Sequence, residues 1–134
     1  MQVFDGFIAA IASELKINFN KKSDGKYTAD IVFDNNRHQE VLIRLGKDDS
    51  GEKVVQYYSV ICEIKNETIG TYKFALKANS TLDYGAVALI DNTLVIHCST
   101  AIKKVEPETF IKSLFYIAAK ADELEEKLTG KDGN

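Results

Sequence analysis

Two histidines, two cysteines and one short acidic cluster are the residues of this chain whose chemistry could support catalysis or metal binding. His38 follows Asp34-Asn35-Asn36-Arg37, a stretch with turn chemistry, so its imidazole is expected at the surface with nothing to orient it. His97 and Cys98 adjoin in an apolar run. Adjacent residues of a strand point to opposite faces, which argues against a thiol–imidazole pair between them. Cys62 sits in a second strand-like run, and two cysteines fall short of the four ligands a zinc site usually takes, so the thiols read as small hydrophobes. Asp48, Asp49 and Glu52 lack the alternating acidic positions and closing glutamate of a calcium loop, and read as a solvated hairpin. The Gly-Lys dipeptides at Gly25, Gly46 and Gly130 lack the preceding glycine and following hydroxyl that cradle phosphate. No catalytic, cofactor-binding or metal-binding residue is assigned, and the chain is expected not to be an enzyme.

Bulk composition narrows the partners. A formal charge of -3 argues against nucleic acid, whose binding needs an excess of Lys and Arg on one face; Lys21-Lys22 and Lys103-Lys104 are pairs and not runs. No segment approaches the ~20 apolar residues that cross a bilayer. The first residues, MQVFDGFIAAIASEL, carry Asp5 and no basic residue ahead of the apolar stretch, unlike a secretory signal. The expectation is a cytoplasmic domain over 1–130, with 131–134 a disordered tail.

The elements follow from periodicity. Phe4, Ile8, Ile11 and Leu15, with Phe7 and Ala12, predict a helix over about residues 2–16. Tyr27, Ala29, Ile31 and Phe33 alternate with polar residues in a strand over 26–34. Val41, Ile43 and Leu45 do the same over 39–45, with Glu40, Leu42 and Arg44 on the reverse face. A third strand over 53–65 is apolar on both sides: Tyr58, Val60, Cys62 and Ile64 on one, Val55, Tyr57 and Ile61 on the other. A helix over about 68–79 with Thr68 as cap, a hairpin of strands 84–90 and 93–99 about Asp91-Asn92, and a final helix opening at Pro107 complete the chain. That order, α-β-β-β-α-β-β-α, with short turns between strands, implies an antiparallel α+β domain.

The surplus is apolar. Helices cover one face of such a sheet, yet Leu42, Val55, Tyr57, Ile61, Val87, Leu89 and Val95 do not all fit on that face. Exposed apolar surface of this kind marks a protein interface. Phe7, Leu42, Val55, Tyr57 and Ile61 are the candidate partner-binding residues. On the last helix, Ile111, Leu114, Phe115 and Ala118 widen the stripe formed by Phe110, Ile117, Ala121, Leu124 and Leu128, and are the candidate homodimer interface.

The segment Leu82-Asp83-Tyr84-Gly85-Ala86-Val87-Ala88-Leu89-Ile90 resembles the LxYGAxAL strand of YbjN-type proteins, and the likeness continues through Thr93-Leu94-Val95-Ile96 to Ala121-Asp122-Glu123-Leu124-Glu125-Glu126. These proteins share the fold of the class I type III secretion chaperones, also called the CesT/Tir chaperone fold, and the element order is similar. The resemblance implies a homodimer without cofactor or active site. In the secretion chaperones it implies a surface of sheet and first helix holding an unfolded stretch of another protein. In YbjN-type members it implies a stress or motility regulator acting through a folded partner. A small enzyme or ligand carrier is the third reading; it requires a polar-lined pocket with His97 or His38 beside a carboxylate.

Overall fold

The computed structural model describes residues 2–15, 17–34 and 36–129. Helix α1 (Gln2–Leu15) leads into strands β1 (Asn18–Ser23), β2 (Lys26–Val32), β3 (His38–Lys47) and β4 (Lys53–Glu63). Helix α2 (Ile69–Asn79), strands β5 (Ala86–Ile90) and β6 (Thr93–Ala101) and helix α3 (Pro107–Thr129) follow. The expected stop at Gly130 and the tail over 131–134 lie outside the described residues.

The α+β class and the antiparallel pairing are as expected, with one strand more than periodicity predicts. β1 reads Asn-Phe-Asn-Lys-Lys-Ser and has no apolar alternation; it is a strand because its backbone pairs with β2 across the Asp24-Gly25 turn. Gly25 takes a φ of 73° there, in the left-handed region that glycine occupies without steric cost. The six strands run in the order β1-β2-β3-β4-β6-β5, all pairs antiparallel.

All three helices pack on one face of this sheet. Phe4 meets Tyr27 edge-on at 5.7 Å, and Phe110 of α3 receives Phe7 at 5.3 Å and Tyr57 at 5.0 Å. Ala75 and Ala78 of α2 join the same core as Leu114, Ile117, Ala118 and Ala121 of α3. Local chemistry sets the helix boundaries: Thr68 Oγ1 accepts the Thr71 N–H at 3.1 Å and caps α2. Polar ties lock the layer in place. Arg37, beyond β2, donates to Asp122 at 2.7 Å and to Glu126 at 3.2 Å on α3, while Tyr27 donates to Asp5 of α1.

β4 breaks strict alternation. A bulge between Val60 and Cys62 puts Cys62 opposite Leu94, so Ile61, Cys62 and Ile64 all turn toward the helices. The expectation that Cys62 and Ile64 share a face with Tyr58 and Val60 is corrected by that one extra residue.

Candidate functional site

The face of the sheet away from the helices carries no covering element among the described residues. The register builds it row by row. Thr28, Leu42, Tyr58, His97 and Ala86 stand side by side across five strands. Val60, Val95 and Ala88 form a second, apolar run, which Glu40 and Asp30 continue on the neighbouring strands. Lys26, Arg44, Gln56 and Ser99 form a polar row on the other side of Leu42 and Tyr58. Val95 is buried yet stands outside the contiguous core beneath the helices, as the floor of a separate apolar strip; Val54, also buried outside that core, lies beyond the polar row. Val60 is 39% exposed, so the strip reaches solvent.

Charge frames this strip. Arg44 Nε donates to Gln56 Oε1 at 2.9 Å and lies near His97, whose pKa is pushed below its ordinary value by burial and then by that guanidinium. His97 is therefore neutral at physiological pH and adds to the apolar row instead of opposing it. His38 and Asp30 pair at 3.2 Å at the margin.

The structure separates the residues that sequence reasoning groups as partner-binding. Leu42 is half-buried on the open face. Phe7 is half-buried on α1, packed on Phe110. Val55, Tyr57 and Ile61 are 0%, 3% and 1% exposed and hold the sheet to the helix layer, so as accessible docking residues they are corrected to core. Of the expected dimer interface, Leu114 and Ala118 are fully buried inside the single chain and are likewise corrected to core. Ile111 stays half-buried and Phe115 is 38% exposed, beside Val32, Phe33 and Asp34. Tyr58 and Val60 are open-face residues that sequence reasoning does not group as partner-binding; Val95 enters it only among the apolar surplus and His97 only as a chemical candidate. Their signal is nonetheless present: the hairpin pairs Lys47 with Lys53, which sets Leu42 opposite Tyr58, and the flanking Glu40 and Arg44 mark that face as the solvent side.

Tyr57 shows what holds the core face. Its hydroxyl shares a 2.5 Å hydrogen bond with Ser113, which itself donates to the Phe110 carbonyl at 2.9 Å. Burial pushes the phenol up to about 12. The native state thus favours the neutral phenol, and its stability holds below the ordinary tyrosine pKa near 10 and falls as pH rises from there through about 12. Tyr57→Phe should be less stable than the parent at pH 8 by about 1 kcal/mol through the lost hydrogen bond. Urea midpoints measured at rising pH should show that gap closing toward pH 12; a constant gap would sink the assignment.

Polar residues do line an open depression of about 440 Å³, bounded by Asp83, Tyr84, Gly85, His97, Cys98, Thr109 and Ser113. His97 and Asp83 thus border the same space, but no hydrogen bond between them orients the imidazole. His97 sits in the open-face row while Cys98 faces the helices, as strand alternation requires. Burial raises the Cys98 thiol above its usual range, away from the thiolate. No hydrogen bond joins His97 to a carboxylate among the described residues. Asp48 is used by its own turn, its Oδ1 accepting from the Ser50 N–H, the Ser50 hydroxyl and the Glu52 N–H at 2.7–2.9 Å. Among the described residues no cluster of acidic, histidine and cysteine side chains suits a metal ion, and no helix is long and apolar enough to cross a membrane.

No protein-family model matches the sequence, and no curated protein does. Among solved structures, a chain of the HopA1–SchA chaperone–effector complex is similar, with a TM-score of 0.60 and 12% identity over 92% of this chain and 93% of that one. An identity that low carries the fold and nothing finer, so the chain has the chaperone-like α+β fold that the sequence resemblance led us to expect.

Proposed function

We propose that this chain is a non-catalytic, chaperone-like module that holds a partner polypeptide against the open face of its sheet. One observation carries the reading: a strip of Leu42, Tyr58 and Val60, floored by the buried Val95, on a face that no helix covers among the described residues. An antiparallel sheet with one solvated face normally makes that face polar. Here apolar side chains hold the centre of the face, with Asp30, Glu40, Arg44 and Gln56 around them, the arrangement of an interface with a dry centre and a charged rim. Likeness to a chain from a chaperone–effector complex supports the same reading. Phe7 lies across the core from this strip and is not part of it.

Homodimer formation belongs to this proposal, with Ile111 and Phe115, beside Val32 and Phe33, as the remaining accessible flank. So does a cytoplasmic location. Light scattering at micromolar concentration that gives only monomer mass would remove the dimer and leave the binding strip. The YbjN-like segment Leu82–Ile90 favours a second reading, a regulator that recognises a folded partner.

Titration against reduced, carboxymethylated α-lactalbumin, which stays unfolded, tests the main reading. The parent should bind it, and the double variant Leu42→Glu, Val60→Glu should bind at least about tenfold more weakly, or about 1.4 kcal/mol. Val60 is exposed and Leu42 half-buried on a face outside the core, so the variant should keep the parent's circular dichroism and still melt cooperatively, at a somewhat lower temperature. Equal binding by a folded double variant rejects the open face as the site. Failure of the parent to bind the unfolded probe rejects holding of unfolded client.

A further inference from the structure

The two edges of the sheet are closed against further strands in different ways. At one edge β1 carries Lys21 and Lys22 and a bulge between Lys21 and Ser23, the charge and irregularity that discourage edge pairing. At the other edge β5 reads Ala-Val-Ala-Leu-Ile, with no charge, no proline and no bulge. Uncharged, proline-free apolar segments are those that pair with copies of themselves. Here, among the described residues, a single side chain stands in the way. Asn79, the last residue of α2, accepts the outward N–H of Val87 through Oδ1 and places Nδ2 3.4 Å from the Val87 carbonyl. Its carboxamide therefore takes both edge groups of Val87, as the backbone of a neighbouring strand would. By the two-residue period of the ladder, Leu89 presents its own N–H and C=O to the same side, beside a side chain that is 48% exposed.

We propose that Asn79 is an edge guard: its carboxamide occupies the hydrogen-bonding position that β5 of a second copy of this chain would otherwise take, and so prevents antiparallel β5–β5 association. The occupant is a second copy because the strand is self-complementary. Two antiparallel copies related by a twofold axis set no like charges against each other, whereas the lysines of β1 repel. The guard is independent of the open-face strip, since it uses edge backbone groups and not the face of the sheet.

Asn79→Ala shortens the side chain beyond reach of Val87 while suiting a helix end, and Asn79→Ser does the same with a hydroxyl too short to span both groups. Light scattering over rising concentration should show either variant passing to twice the mass of the parent. Adding Leu89→Pro removes the outward N–H at the edge without touching the β5–β6 ladder, and should return the mass to that of the parent. Variants that stay folded at the parent's mass overturn the proposal. So does association that survives Leu89→Pro, which would place the contact elsewhere. Unfolding of both single variants overturns it too, by making Asn79 a structural residue and not a guard.

Discussion

Leu114→Glu is expected to unfold this chain, while Phe115→Glu one residue further on leaves it folded. Leu114 is completely enclosed between α3 and the sheet, within the cluster that also holds Phe110, Ile117 and Ala118. Removing a leucine from such a site costs about 2–5 kcal/mol. An unpaired carboxylate in the same space adds several more unless it takes up a proton. Together these reach the whole stability of an ordinary domain, about 5–15 kcal/mol. Phe115 points to the flank beside Val32 and Phe33 and is 38% exposed, so its replacement costs only partial burial, near 1 kcal/mol. Circular dichroism and urea melts of the two proteins check the pair. A folded Leu114→Glu protein would mean that α3 is not seated as described. A Phe115→Glu protein that folds but halves in mass would support the dimer flank, a distinction that a single substitution in the buried seam does not allow.

Gly85→Ala is the second large effect, for a reason visible only at the start of β5. Gly85 has a φ of 76°, and a Cβ built there would lie 2.9 Å from Cys98 Sγ and 2.9 Å from the His97 carbonyl oxygen. The left-handed backbone alone costs an alanine about 1 kcal/mol. The backbone oxygen has no room to give, because β6 is held between β4 and β5. The variant should lose more than about 2 kcal/mol in urea unfolding. A loss below about 0.5 kcal/mol would show that β6 yields at this point. The same site explains why the segment Leu82–Ile90 carries a recognisable pattern. Tyr84 packs edge-on against Tyr116 at 5.3 Å, and the Tyr116 hydroxyl accepts the Asp83 N–H at 2.7 Å. Its residues fasten the return from α2 into the sheet, which gives the pattern a structural cause.

The physical contrast between these positions also measures what is legible beforehand. Heptad-like spacing locates the apolar stripe of α3, but a stripe has two flanks and a floor. Spacing alone does not say that Leu114 and Ala118 belong to the floor while Phe115 belongs to a flank. On β4 every residue from Val54 to Val60 suits a strand, so periodicity leaves both faces equally able to meet a partner. The expected docking residues Val55, Tyr57 and Ile61 lie on the face that the helices bury.

Local order along the chain was enough to specify the helices, the hairpins and the alternation of β2 and β3, because each is a matter of period, caps and turn residues. It was also enough to show that apolar side chains outnumber the places on one sheet face. Three features emerge only on folding: which face the helices take, the pairing of Asn18–Ser23 as a strand with hardly an apolar side chain of its own, and the reach of Asn79 to the edge of β5. These depend on contacts between segments distant along the chain, where one bulge or one shift of register moves a side chain from core to solvent.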